Sequence, residues 1–187
     1  AYREAYQAKT SLVIQDGGEV IKDSPGVIVG FTSSSLTNRV VVDSGALRLT
    51  NSAVTGKLDV RRGTNVFNSG LIHADQLILT NTLGKFEFNG GTLITRGAAI
   101  SNNANFIVGN TGGVPAVWDV RAGPGSHHVA NSMFVGFDSS FAQLIHTNGA
   151  LLTNSDFSSI GVNEISRSNR VTLAGSASRW WLQRGVA

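Results

Sequence analysis

A glycine turn set between short apolar runs returns along nearly the whole chain, and its period constrains the fold more than any other feature. The turn reads QDGG ending at Gly18, DSG at Gly45, NSG at Gly70, NGG at Gly91, RAG at Gly123, TNG at Gly149 and LAG at Gly175. The intervals are 27, 25, 21, 32, 26 and 26 residues, with a mean near 26. A second marker, an apolar run closed by glycine, ends at Gly30, Gly109, Gly136 and Gly161, with gaps of 79, 27 and 25. A fixed period of this size is the signature of a solenoid, a propeller or an array.

Each unit carries three short apolar strands. The first is expected at 12–14, 40–42, 66–67, 86–88, 117–120, 143–146 and 170–173. The second follows at 19–21, 46–49, 71–73, 92–95, 127–130, 150–153 and 178–182, and the third at 27–29, 57–60, 76–79, 105–108, 133–135 and 159–162. Runs this short, with apolar and polar residues alternating, read as half-buried β-strands. One such unit cannot bury its apolar side chains alone. Coiling the chain stacks equivalent strands in parallel at about 4.8 Å and encloses a continuous apolar column.

The expected fold is therefore all-β: a single right-handed parallel β-helix of about seven coils with three faces. Residues 11–187 form this domain, and residues 1–10 serve as an N-terminal cap, linker or assembly segment. Asp16, Asp43, Asn68, Asn89 and Asn148, ahead of the turn glycines, are expected to stack as a ladder. The long 91-to-123 interval, with its SNNAN, TGG and GPG stretches, reads as a protruding loop. A β-sandwich also uses short strands, but it has no need of a 26-residue period.

Composition narrows the functional classes. There is no cysteine, hence no disulfide scaffold, thiolate metal site or cysteine nucleophile. No apolar run is long enough for a transmembrane helix, so no membrane insertion is expected. The net charge is +3 and the basic residues are scattered, which gives nucleic-acid binding little support. The opening AYREAYQAKT lacks the apolar core of a signal peptide. Tyr2 and Tyr6, four residues apart, would share one face of a short helix that docks on the domain or on the next subunit. The SRWWLQRGVA stretch stops inside a repeat without a polar cap, which points to a longer array or to end-to-end contact.

The units GGEVIKDSPGVIVGFTSSSLTNRVVV, MFVGFDSSFAQLIHTNGALLTNSDFSSIGV and SNRVTLAGSASRWWL resemble the repeats of bacterial autotransporter passengers and related giant surface proteins. The likeness covers roughly residues 11–182 and is weakest over 56–104. It implies secretion, surface display and an adhesive or structural role.

Parallel β-helices also include polysaccharide lyases and hydrolases, which need clustered carboxylates with a nearby base or cation. The best cluster is Asp119, Arg121, His127 and His128, although a solvated face with an ordinary ion pair fits those residues better. His73, His127, His128 and His146 would bind metal only if stacking aligned them, and His73 and His128 lie two coils apart. Thr50, Thr80, Thr95 and Thr153 follow apolar strands but form no T-x-T array for ice. Trp118, Trp180 and Trp181 could stack on sugars; Trp118 suits the core, and the adjacent pair must point to opposite faces. No catalytic, cofactor-binding or metal-binding residue is assigned, and no cofactor is expected.

The expected function is a non-enzymatic, extracellular or cell-surface bacterial β-solenoid, acting as a stalk, adhesin segment or head-to-tail fibre subunit. Its expected partners are copies of itself end to end or neighbouring repeats of a longer chain, with surface glycans as further ligands. The alternative is a polysaccharide-active or carbohydrate-binding β-helix.

Overall fold

The computed structural model describes residues 11–23, 26–30 and 38–186. The segment 1–10, with Tyr2 and Tyr6, lies outside the described residues. Coil 1 holds β1 (Ser11–Gln15), β2 (Glu19–Ile21) and β3 (Gly26–Val29), and coil 2 holds β4 (Arg39–Asp43), β5 (Gly45–Leu49) and β6 (Lys57–Val60). Coil 3 has β7 (Gly63–Phe67), β8 (Gly70–Ala74) and β9 (Gln76–Leu79), and coil 4 has β10 (Gly84–Phe88), β11 (Gly91–Thr95) and β12 (Ala98–Ile100). Coil 5 has β13 (Phe106–Val108), β14 (Ala116–Val120) and β15 (His127–Val129), and coil 6 has β16 (Met133–Val135), β17 (Gln143–His146) and β18 (Leu151–Asn154). Coil 7 closes with β19 (Ser158–Ile160), β20 (Arg170–Leu173) and β21 (Arg179–Leu182).

Every ladder between these strands is parallel, and each strand pairs with its counterpart one coil away. The chain is a three-faced β-solenoid of seven coils, and no helix occurs among the described residues. This arrangement excludes a sandwich of antiparallel sheets. The second and third faces are unbroken seven-stranded sheets. The first face is divided into β1-β4-β7-β10 and β13-β16-β19. At the division the ladder gives way to two bonds, from the Gly109 and Asn110 amides to the Phe88 carbonyl.

Strand alternation fills the interior with columns. On the second face Val20, Leu47, Ile72, Leu93, Trp118, Leu144 and Val171 are consecutive Cα partners. Beside them run Leu49, Ala74, Thr95, Val120, His146 and Leu173. The third face contributes Val27, Leu58, Leu77, Ala98, His127, Leu152 and Trp180. Aromatic rings bind the first face to the others: Phe67 stacks on Phe88 at 5.2 Å, and Phe106 meets Trp118 edge-on at 4.8 Å. Each fully buried Leu, Ile or Phe contributes about 1.5–3 kcal/mol, and the column repeats that contribution coil after coil.

The turn glycines occupy two different corners. Gly45 and Gly70 are partners, and Gly91 pairs onward with Ala116, all where the first face turns into the second. That turn is tight in coils 2 to 4. A Cβ on Gly70 would lie 2.2 Å from the Gly45 carbonyl oxygen, and its φ of +89° already favours glycine. From coil 5 onward the corner is a longer loop, and Ala116 and Ala142 take the glycine position. Gly123, Gly149 and Gly175 instead lie between the second and third faces.

The expected strand assignment thus holds for coils 1 to 3 and the first two strands of coil 4, and slips by one face afterwards. The runs at 117–120, 143–146 and 170–173 belong to the second face, and those at 105–108, 133–135 and 159–162 to the first. The cause is β12, a three-residue strand with two alanines that the apolar pattern passes over. With it, the supposed loop between Gly91 and Gly123 contains β12, β13 and β14. Gly30 closes a third-face strand, whereas Gly109, Gly136 and Gly161 follow first-face strands, so the second marker also spans two corners. The expected Asx ladder reduces to Asn68 and Asn89, whose amides bond at 2.9 Å. Asp43 pairs with Gln15 rather than Asp16, and Asn148 lies at the other corner.

Candidate functional site

The four residues of the candidate catalytic cluster are dispersed by strand alternation. Asp119 points outward from β14, and Arg121, just past the strand, donates from Nη2 and Nε to Asp119 Oδ2 at 2.7 and 2.9 Å. His127 points inward and is fully buried. His128 points out of the third face, with Nδ1 2.9 Å from Thr153 Oγ1. An outward ion pair, a core ring and a surface ring cannot converge on one substrate atom.

Three arginine–carboxylate pairs form on the outer second face and at its corner, while Arg170 meets the Gln143 amide. Glu19 pairs with Arg48 at 2.5 Å, Asp75 with Arg96 at 3.8 Å and Asp119 with Arg121 at 2.7 Å. His73 lies between Arg48 and Ile94 in the same outward column. Burial lowers its pKa, and Arg121, Arg96 and Arg48 add to the shift against the opposing Asp75. Among the described residues, no three His, Asp or Glu side chains are grouped to hold a metal ion. No helix among them is long and apolar enough to cross a membrane.

The aromatic and threonine candidates also separate. Trp118 is fully buried, Trp180 packs half-buried against the core, and Trp181 is 63% exposed on the outside. Thr95 is buried while Thr153 faces outward, so the threonines form no flat array.

The core itself holds a polar chain that the strand pattern makes legible in retrospect. In QLIH an inward Leu144 places His146 inward as well, and in HHV an inward Val129 does the same for His127. The Trp118 indole N–H donates to Thr95 Oγ1 at 2.9 Å, and Thr95 Oγ1 lies 3.0 Å from His127 Nε2. His146 Nε2 donates to the Ala150 carbonyl at 2.7 Å. The Nδ1 atoms of both rings are buried without a hydrogen-bond partner. Burial lowers the His127 pKa to about 4, with His146 adding to the fall and the Thr95 and Leu151 backbone opposing it. Burial lowers that of His146 too, against the Ala150 carbonyl.

Beside a groove of about 580 Å³ on the third face, lined in part by Lys57, Asp59 and Arg61, two surface features stand out. A groove of about 370 Å³ lies at the division of the first face, lined in part by Lys85, Phe86, Asn102, Asn103 and Asn105. The second is the outer edge of coil 7. Its inward residues continue the core columns, yet Leu173 is 51% exposed and Val171, Trp180 and Leu182 are only half-buried. Their column partners Leu144 and Leu152 are fully buried. Val186 forms a parallel bridge with Ser158, placing it where an eighth coil would continue the first face. Coil 7 carries Arg167, Arg170, Arg179 and Arg184 against Glu164, whereas the described part of coil 1 carries Asp16, Glu19 and Asp23 against Lys22.

No protein-family model matches this chain, and neither a curated protein nor a solved structure matches it significantly.

Proposed function

We propose that this protein is a non-enzymatic structural β-solenoid of the bacterial cell surface or extracellular space, acting as a stalk, adhesin segment or fibre subunit. The observation that carries the reading is the edge of coil 7, where the apolar columns run on and, among the described residues, only the Ser158–Val186 bridge continues a face beyond β19, β20 and β21. Such an edge is a template for a further coil. That coil comes from neighbouring repeats of a longer chain or from coil 1 of a second copy, and the opposite charges of coils 1 and 7 favour the head-to-tail orientation. The resemblance of the repeats to autotransporter passengers supports the bacterial surface assignment. The mechanism is mechanical: parallel ladders and one long core resist unfolding and proteolysis, and reach comes from stacking.

Sedimentation and electron microscopy of the purified chain test the fibre form. Concentration-dependent rods are expected, weakened by Arg170→Glu and restored when that variant is mixed with Glu19→Arg. Monomers alone at high concentration count against it. The groove with Lys85, Phe86 and three asparagines favours a second reading, glycan binding, because amides and an aromatic edge suit sugar hydroxyls and faces. Binding on a glycan array, lost in Phe86→Ala, separates that reading from a bare stalk.

A further inference from the structure

We propose that His127 and His146 form an acid-sensitive weak point in the core of coils 4 to 6, at which the solenoid loosens locally while coils 2 and 3 stay closed. The proposal does not depend on the surface role. It rests on where the two rings sit and on which of their nitrogens have partners.

The bonding around His127 is complete with a neutral ring. The Trp118 indole has only a proton to give, so it occupies Thr95 Oγ1 as an acceptor. Thr95 Oγ1 has a second lone pair, so it either gives its proton to His127 Nε2 or accepts one from it. In both tautomers the protonated ring carries an N–H at Nδ1, where no partner stands. At His146 the neutral proton is on Nε2, given to the Ala150 carbonyl. Acid adds a proton at Nδ1, where no partner stands. An unpaired buried charge is among the most costly groups a core can hold.

Inside these coils that charge is opposed only by backbone groups, of Thr95 and Leu151 at His127 and of Ala150 at His146, and burial outweighs them. His127 stacks between Ala98 and Leu152 and His146 between Val120 and Leu173, and each ring's titratable neighbour in the core is the other. The ionisable groups on the packed strands face outward: Asp119 on β14 is bound to Arg121, His128 on β15 to Thr153, and Arg170 on β20 to Gln143. Arg96 and Arg121, at the corner, are paired with carboxylates, the buried Asp75 at 3.8 Å and the outward Asp119 at 2.7 Å. Asp75, the buried carboxylate of that corner, sits in coil 3 and accepts from the Asn51 and Gly56 amides. Opening lets both rings take up protons at the ordinary histidine value, so the opened state binds more protons than the closed one and acid drives the equilibrium toward it.

Native-state hydrogen exchange on the full chain between pH 7 and 4.5 tests this. The quantity read is the protection of β14 to β18 relative to β5 to β9, in which the intrinsic pH dependence of exchange cancels. Titration of His127 alone, from about 4 in the closed coil to about 6.5 in the opened one, lowers the ratio about 60-fold between pH 7 and 4.5. In H127Q/H146Q the side-chain amides still reach Thr95 and the Ala150 carbonyl, of the histidines only the outward His73 and His128 remain to titrate, and the ratio is expected no longer to fall with acid. A flat ratio in the wild type overturns the proposal, as does an equal fall in wild type and double variant. If the double variant does not fold, imidazole NMR of the wild type decides. Titration of His127 above pH 6 with coils 5 and 6 still protected overturns the proposal, and rings that titrate only as protection is lost support it.

Discussion

In coils 2 and 3 the inward positions are held by Leu47, Leu49, Leu58, Ile72, Ala74, Leu77 and Leu79. In coils 5 and 6 the matching columns pass through Trp118, His127, His146 and Asn154. Both halves keep parallel ladders, so the backbone register does not depend on an all-apolar filling. The difference lies in how the filling is held. The early coils rely on burial of hydrocarbon, apart from Asn65, whose amide finds no partner, and the corner carboxylate Asp75, which accepts from the Asn51 and Gly56 amides. The late coils rely on directed bonds, such as Asn154 Nδ2 to the Val129 carbonyl at 3.1 Å and Ser158 Oγ to Asn154 Oδ1 at 2.7 Å. A core held by hydrogen bonds is satisfied in one protonation state only, whereas a hydrocarbon core is indifferent to pH.

The largest expected effect is Trp118→Ala, which empties the widest position of the late core and takes the donor from Thr95. A loss of about 3–5 kcal/mol is expected in urea unfolding. A smaller loss would mean that coils 5 and 6 collapse onto the space. Acid comes next. His127, at about 4 when buried against an ordinary 6.5, leaves folding unaffected at pH 7 and costs stability as pH falls below 6.5. Between pH 7 and 4 this amounts to about 3 kcal/mol, with His146 acting in the same direction. Urea midpoints across that range check it, and His127→Gln should remove most of the slope. Asn65→Leu should stabilise the early half by about 1–2 kcal/mol, because it exchanges an unpaired buried amide for a side chain that suits its column partners Val40 and Phe86. Destabilisation would show that the amide has a partner in solution, such as water. The smallest effect is Arg121→Ala, which breaks an outward ion pair and should change stability by less than about 1 kcal/mol.

Much of the architecture was legible because period and alternation are both backbone properties. The pairing of Gly45 with Gly70 and the burial of Trp118 follow directly from them. The slip after coil 4 has a physical source. Glycine marks a corner only where neighbouring backbones approach too closely for a Cβ, and once the corner opens into a loop, Ala116 serves as well. A strand as short as Ala98–Ile100, stacked between Leu77–Leu79 and His127–Val129, draws its identity from its neighbours rather than from its own residues. The candidate cluster of Asp119, Arg121, His127 and His128 does not assemble for the opposite reason: adjacency in sequence puts His127 and His128 on opposite sides of the wall. The polar core chain needed the correct phase before alternation could reveal it.

The divided first face has a mechanical consequence. Two laddered faces join coil 4 to coil 5, where three join every other pair of successive coils, and the third face there is only three residues wide. Tension applied along the rod is shared by the fewest bonds at that seam. A pulled molecule should part there first, releasing coils 5 to 7 as one block in the earliest force peak and leaving the aromatic-stacked front half wound.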